Sequence, residues 1–296
     1  MRELAVPAPA QVPRIPLGDW FQGVVDWLQG NIGPVFDFID AAIQGAVTGL
    51  STALIWPPAW LMVLVFTALA WWVRNWRLAL FTVLGFGLIL SLESFDRAML
   101  TLSLVLVASV IAIVVAIPVG IAAARNGRVS SVVRPVLDFM QTMPAFVYLI
   151  PVIFFFNIGS VPGVVATVIF ALPPGVRLTE LGIRQVDKEV VEAGEAFGTS
   201  PRRILTGIQL PLAMPSIMAG INQVIMLALS MVVIAGMVGA EGLGTDVFTA
   251  VTRVQLGAGF EAGVAVVILA VYLDRITSAL AAKAPVGRAE RRTARV

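Results

Sequence analysis

The residues of this chain that could do chemistry are few, and most of them stand close together. Arg184, Asp187, Lys188, Glu189, Glu192, Glu195, Arg202 and Arg203 share one short stretch of a 296-residue sequence that is only 13% charged and 58% hydrophobic. Zero His and zero Cys leave no imidazole base, no thiolate nucleophile, no disulfide framework and no soft metal site. Hydrolytic and redox chemistry is therefore not expected here. What such an island offers instead is contact. Val190, Val191, Ala193, Ala196 and Phe197 give it an apolar stripe, and Asp187 with Glu189 sits where a helix N-terminus favours anions. Gly198-Thr199-Ser200-Pro201 should stop that helix, with Thr199 or Ser200 capping the next and Pro201 at its first position. Two short helices at an angle make a rigid knob that a soluble partner can grip and push, which is mechanical coupling and not catalysis.

A second polar set, Gln141, Thr142, Asn157, Asn222, Gln223 and Ser230, lies inside long uncharged runs. Polar amides in such surroundings rarely face lipid; they line a path or bond between helices, and both readings stand. Asp138 and Asp274 have Arg134 and Arg275 close by in sequence, so ion pairs explain them. The glycine-rich string Gly239 to Asp246 lacks the lysine and hydroxyl ending of a phosphate-binding loop, which leaves Glu241 and Asp246 as gate or partner contacts or as the solvated residues of a turn.

The elements that must position these residues are set by lipid. Soluble chains average about 25% charged residues, roughly twice the fraction found here, and the mean hydropathy is +0.93. An ionised group at bilayer depth costs roughly 2.5–3.5 kcal/mol, so charge-free runs locate the spans. They predict seven: 54–73, 78–92, 98–124 with Pro118 inside it, two spans sharing 139–176 around the turn Asn157 to Gly163, one in 204–240, and 257–273. The stretch 78–92 is shorter than the ~20 residues of a full crossing and must borrow from its flanks. Alternating the loops puts sixteen of the twenty cations on one side, among them Arg177 in the loop that carries the polar island, while Arg2, Arg14, Arg97 and Arg253 take the other. The positive-inside rule then places the N-terminus outside and the C-terminus in the cytoplasm. Ahead of the first span, Leu17, Trp20, Phe21, Val24, Leu28, Ile32, Val35, Ile39 and Ile43 recur near the helical period, and Gly33-Pro34 should bend the resulting amphipathic helix. It is expected to lie in the outer interface, the alternative being an eighth, poorly packed span. The expected division is an N-terminal tail and interfacial helix over 1–50, a membrane domain over 51–283 with its loop at 184–211, and a basic tail over 284–296. The fold class is all-α and polytopic.

Within the polar island, Glu192-Ala193-Gly194, three residues, Gly198, nine residues and Ile208-Gln209-Leu210-Pro211 resemble the EAA loop of ABC-importer permeases. The spacing agrees throughout, and Gly194 stands where the pattern has Ala, at a cost in helix propensity of about 0.8–1 kcal/mol. Gln141-Thr142-Met143-Pro144-Ala145-Phe146-Val147-Tyr148, Phe154-Phe155-Phe156-Asn157-Ile158-Gly159 and Leu227 to Ala235 are similar to the glycine betaine/proline branch of those permeases, and the likeness extends over nearly the whole chain.

The resemblance implies a type I importer permease in the bacterial plasma membrane that forms a homodimer. Two ATP-binding subunits would dock on it and supply ATP and Mg chemistry, so that no cofactor sits on this chain, and a separate extracytoplasmic binding protein would deliver substrate. Glu192, Ala193, Gly194, Ala196, Phe197, Gly198, Arg202 and Arg203 would couple to the ATPase. A quaternary ammonium cannot be neutralised by proton transfer and needs a lined path, for which aromatic faces provide attraction without trapping. Gln141, Thr142, Met143, Phe146, Tyr148, Phe154, Asn157, Asn222, Gln223 and Ser230 are the candidates for that path, although each aromatic could equally face lipid or a neighbouring helix. Betaine, choline, carnitine and proline remain open as cargo, and no nucleic-acid partner is expected. An ion-coupled secondary transporter or channel for small zwitterions is the competing reading; such proteins place ionisable residues near mid-membrane, where spans three to six are expected to have none.

Overall fold

A computed structural model of the protein describes residues 16–283. The N-terminal residues before these and the basic tail over 284–296 lie outside the described residues, as do Arg2 and Arg14. Among the described residues the chain is helical, with no strand.

The first helix, α1 (Leu17–Ile55), breaks its helical dihedrals at Ile32, directly before Gly33-Pro34, as the proline ring requires of the residues ahead of it. Its first part exposes Trp20, Phe21, Val24 and Trp27. Its second part does not stay apart from the bundle: Ile43 and Val47 are buried with Leu104, Val107 and Ala108, and Phe36 stacks on Phe155 at 4.3 Å. The expected boundary at residue 50 thus falls inside a helix. By length and composition α1 could itself cross a membrane, the alternative set second in the sequence reading.

Trp56-Pro57-Pro58 ends α1, and α2 (Ala59–Val73) and α3 (Trp76–Ser91) follow as a hairpin of 15- and 16-residue helices. The Asn75 side chain caps α3 by accepting from the Leu78 N–H at 3.1 Å. Both helices fall short of the ~20 residues of a full crossing. Phe66 of α2 and Phe86 of α3 lie 5.0 Å apart, ring to ring, and meet Tyr272 at 5.7 and 5.3 Å, which fixes the hairpin to the last helix.

The centre is a packed trio: α4 (Phe95–Arg125), α7 (Ser160–Arg184) and α10 (Leu210–Ser230). Membrane helices have no hydrophobic drive to associate and rely on close approach. A Cβ on Gly120 of α4 would sit 2.6 Å from the Thr179 Cβ of α7, and one on Gly182 of α7 would sit 2.7 Å from the Ser216 Cβ of α10. Glycine at both positions is what lets α7 lie between its neighbours. Between α4 and α7 the chain forms α5 (Gly127–Thr142) and α6 (Ala145–Phe156), bent by 100° where Met143 precedes Pro144. The single span expected from residue 139 is therefore two helices, since the residue before a proline is driven out of the α region; Met143 has ψ 135°.

After α7 come α8 (Lys188–Ala196), α9 (Pro201–Ile204) and a π-helical turn (Leu205–Gln209) that leads into α10. Then α11 (Val232–Met237), α12 (Leu243–Thr252) and α13 (Leu256–Lys283) complete the described chain. The sixth expected span is thus broken at Met231, and the seventh is a longer helix than its uncharged core suggested. Among the described residues five helices are long and apolar enough to cross a membrane, six if the bent pair α5–α6 is one span.

Candidate coupling elbow and substrate path

The polar island folds as two short helices set end to end across a turn. Asp187 caps α8 by accepting from the Glu189 N–H at 2.9 Å. At the other end Gly198 has φ +74°, its N–H donates to the Glu195 carbonyl at 2.8 Å, and the Thr199 N–H donates to the Gly194 carbonyl at 3.1 Å. This pair of bonds is the Schellman closure, which needs a left-handed residue and so selects glycine. Ser200 then takes the N-cap position of α9 and Pro201 opens the helix, but neither the Ser200 hydroxyl nor any other side chain caps it.

No residue of α8 is buried. Val191 and Gly194 turn partly inward; a Cβ on Gly194 would lie 3.0 Å from the Ile208 Cδ1, so the departure from Ala in the EAA-like pattern falls where α8 packs against the π-helical turn. Outward stand Glu192, Ala193, Glu195, Ala196 and Phe197, with Arg202 and Arg203 on α9. Phe197 is 89% exposed, an aromatic held in solvent at the end of the capped helix. Behind the elbow a cavity of about 440 Å³ separates α8 and α9 from the inner ends of α4 and α7; Arg125, Arg184, Glu192 and Glu195 are on its walls. The elbow thus stands off the bundle on its own hydrogen bonds.

The expected path residues do not form one cluster. On α10, Leu212, Pro215, Ala219, Gln223, Met226 and Ser230 are exposed at helical spacing and make one continuous stripe, so Gln223 and Ser230 share a face. Ser230 returns its hydroxyl to the Met226 carbonyl at 3.0 Å. Asn222 is turned aside: its amide donates to Asp274 at 3.1 Å and its carbonyl accepts from Thr277 at 2.6 Å, so it ties α10 to α13. Of its two open readings the inter-helix bond is the one observed.

On α5 and α6, Gln141, Thr142, Phe146 and Phe154 are exposed and Met143 half-buried. Tyr148 is buried and donates its hydroxyl to the Met140 carbonyl across the bend. Of the three-phenylalanine run, Phe155 stacks on Phe36 and Phe156 is buried, which leaves Phe154 as the open ring. Asn157 is exposed at φ +59° and ψ −160°, outside the left-handed helical well and in a region that normally belongs to glycine, and forms the turn into α7. The glycine string outside is also packed: the Leu243 N–H donates to the Thr101 hydroxyl at 2.8 Å, and Asp246 pairs with Arg97.

One group was missed. Because charge-free runs were used to bound the spans, the fifth was closed at Val176 and Arg177 was assigned to a loop; the structure carries α7 on to Arg184, with Arg177, Glu180 and Arg184 on it. α7 thus carries an acid and two bases, all in its last eight residues and none near its middle. Glu180 is buried, accepts from the Ser130 hydroxyl at 2.8 Å and from Arg134 at 2.9 Å, and forms an ion pair with Arg184 at 2.9 Å, while Arg184 donates to the Ala123 carbonyl at 2.9 Å. Asp138 pairs with Arg177 and not with Arg134, its neighbour in sequence, whereas Asp274 and Arg275 do approach each other, at 3.8 Å. The spacing 177, 180, 184 is itself a helical face and was the available signal.

Residues 116–284 match the family of binding-protein-dependent transport system inner membrane components. The chain is 53% identical over 273 residues to the glycine betaine transport system permease protein OpuAB of Bacillus subtilis, covering 92% of this chain and 97% of that one. It is 46% identical over 266 residues to the glycine betaine/proline betaine permease protein ProW of Escherichia coli, covering 90% of this chain and 75% of that one. Among solved structures, the inward-facing MetNI methionine ABC transporter aligns with a TM-score of 0.56 at 21% identity, over 61% of this chain and 91% of that one, which shows a shared fold.

Proposed function

This chain belongs to the family of binding-protein-dependent transport system inner membrane components, and from that premise we propose that it is the permease subunit of an ATP-driven importer for glycine betaine and related quaternary amines. It is a multi-pass protein of the bacterial plasma membrane. The observation that carries the reading is the elbow of α8 and α9: a capped, outward-facing helical pair with an exposed Phe197, joined to α7 through residues 185–187 and to α10 through the π-helical turn. A stroke applied to that knob reaches two of the three central helices directly.

In this reading ATP is hydrolysed on a partner. Two nucleotide-binding subunits clasp the elbows of two permease copies, their closure draws the elbows together, and the bundle turns from inward-open to outward-open. An external binding protein delivers the substrate. Glu192, Ala196, Phe197, Arg202 and Arg203 make the contact, and Gly198 holds the angle between the two helices. The path runs over the exposed stripe of α10 that holds Gln223 and Ser230 and over Gln141, Thr142, Phe146 and Phe154 of α5 and α6. A quaternary ammonium passing aromatic faces gains roughly 0.5–2 kcal/mol at each, enough to replace water without stopping.

The test is uptake of labelled glycine betaine into vesicles that hold this permease and its ATPase subunit, with the binding protein outside. Uptake should require both internal ATP and the binding protein. Accumulation driven by an ion gradient alone would instead establish a secondary transporter.

A further inference from the structure

Between α5 and α7, towards the inner end of the bundle, lies a cavity of about 350 Å³ walled by Arg134, Asp138, Arg177, Glu180, Leu181 and Arg184. Its charges are of two kinds. Glu180, with a side chain only 4% exposed, is enclosed by Ser130, Arg134 and Arg184 and is fully engaged. Asp138 and Arg177 are different: they pair with each other, yet their side chains are 63% and 40% exposed, and the Arg177 Nε, although itself buried, has no acceptor. Three guanidinium groups face two carboxylates; the surplus positive charge lies at Glu180, between Arg134 and Arg184, while Asp138 and Arg177 form a one-to-one pair that is open to solvent.

Arg177 precedes the end of α7 by seven residues, about 10 Å at the helical rise, and so stands inside the helix and not at its terminus. An ionisable group at that depth faces a watery or protein-lined space and not lipid, and it marks a solute pathway more often than a structural need. We propose that Asp138 and Arg177 form an exit-side station for a small zwitterion, the carboxylate of the solute seated on Arg177 and its ammonium against Asp138. The inference rests on the transport reading above and adds the residues that meet the cargo last.

The chemistry selects a zwitterion over its competitors. A simple anion would satisfy Arg177 but meet the Asp138 carboxylate, and a simple cation would satisfy Asp138 but meet Arg177. A zwitterion exchanges one internal ion pair for two external ones, so entry and departure are nearly balanced and the solute is not trapped. The Arg177 side chain is 40% exposed, and a planar guanidinium can donate two parallel bonds to the solute's carboxylate in place of its bond to Asp138.

Glycine betaine uptake by the complete transporter in vesicles tests this, with wild type, Arg177→Gln, Asp138→Asn, Arg177→Lys and the exchange of both residues measured side by side. Co-purification with the ATPase subunit serves as the folding control. Arg177→Gln and Asp138→Asn should each lower the maximal uptake rate at least tenfold while the external concentration for half-maximal uptake, set by the binding protein, stays put; Arg177→Lys, which keeps the charge but loses the paired donors, should fall between wild type and Arg177→Gln. The exchange variant restores a clasp between α5 and α7 but reverses the polarity seen by the cargo against the unexchanged Arg134 and Glu180, so it should stay slow. Wild-type rates in both single variants, or full recovery in the exchange, would reduce the pair to a clasp and overturn the station. If wild type itself takes up no betaine with ATP, the transport reading fails, a result distinguishable because it appears before any variant is compared.

Discussion

Gly198 holds the elbow through a single dihedral. At φ +74° an L side chain costs about 1–2 kcal/mol, and a β-branched one more, because its Cβ crowds the following carbonyl. Nothing lies within 4 Å of a Cβ built there, so the penalty is conformational and confined to the turn. Gly198→Val should therefore misdirect α9 relative to α8 while α4, α7 and α10 stay packed. The expected outcome is a normal amount of protein in the membrane with at least a tenfold fall in betaine transported per ATP hydrolysed, measured in the same vesicles. Gly198 was legible because its type and spacing in the loop announce a turn. Glu180 was not: a carboxylate inside a span contradicts the rule that located the spans, and its solvation by Ser130, Arg134 and Arg184 comes from residues that only folding brings near. Asn222 shows the same limit, since its partners Asp274 and Thr277 lie on another helix.

At the scale of elements, α7 is held by close approach on both sides. A Cβ on Gly182 would come within 2.7 Å of the Ser216 Cβ and 3.2 Å of the Ala213 carbonyl. Gly182→Ala should destabilise the bundle by about 1–3 kcal/mol, the ordinary cost of overpacking, and Ser216→Gly should return part of it because it removes the nearer obstacle. Thermal unfolding of the single and double variants in detergent checks this; equal melting temperatures for wild type and Gly182→Ala would mean that α7 and α10 are not so closely seated. The long apolar helices α4 and α7 could be read from uncharged runs, and the bend in α1 from Gly33-Pro34. The division of α5 from α6 could not be read by that method, because hydropathy runs unbroken through Met143-Pro144 while the backbone turns by 100°. The polar, arginine-bearing α5 also begins far ahead of the uncharged run that was taken to define it. Similarly, the inner half of α1 packs on α4 and α6 through Ile43, Val47 and Phe36, contacts with no local signature.

The whole molecule is a lever set in a membrane. Its rigid parts are the α4–α7–α10 trio and the hairpin fixed by Phe66, Phe86 and Tyr272; its handle is the elbow; and its open surfaces are the α10 stripe and the bent α5–α6 arm. In the proposed dimer those open surfaces would enclose the central path, with the Asp138–Arg177 pair near its inner mouth. The account turns on the claim that force enters at α8 and α9 from an ATP-consuming partner. Because the chain has no cysteine, a thiol placed at Ala196 is unique on it, and a short bifunctional reagent can join it to the ATPase subunit. The measurement is betaine uptake and ATP hydrolysis by the Ala196→Cys transporter before and after that cross-link. The account predicts that the cross-link forms and that a rigid tether stops both activities together, with reduction of a cleavable tether restoring them. Failure of the elbow to cross-link to any ATPase subunit, or undiminished ATP-driven uptake with the tether in place, would contradict it.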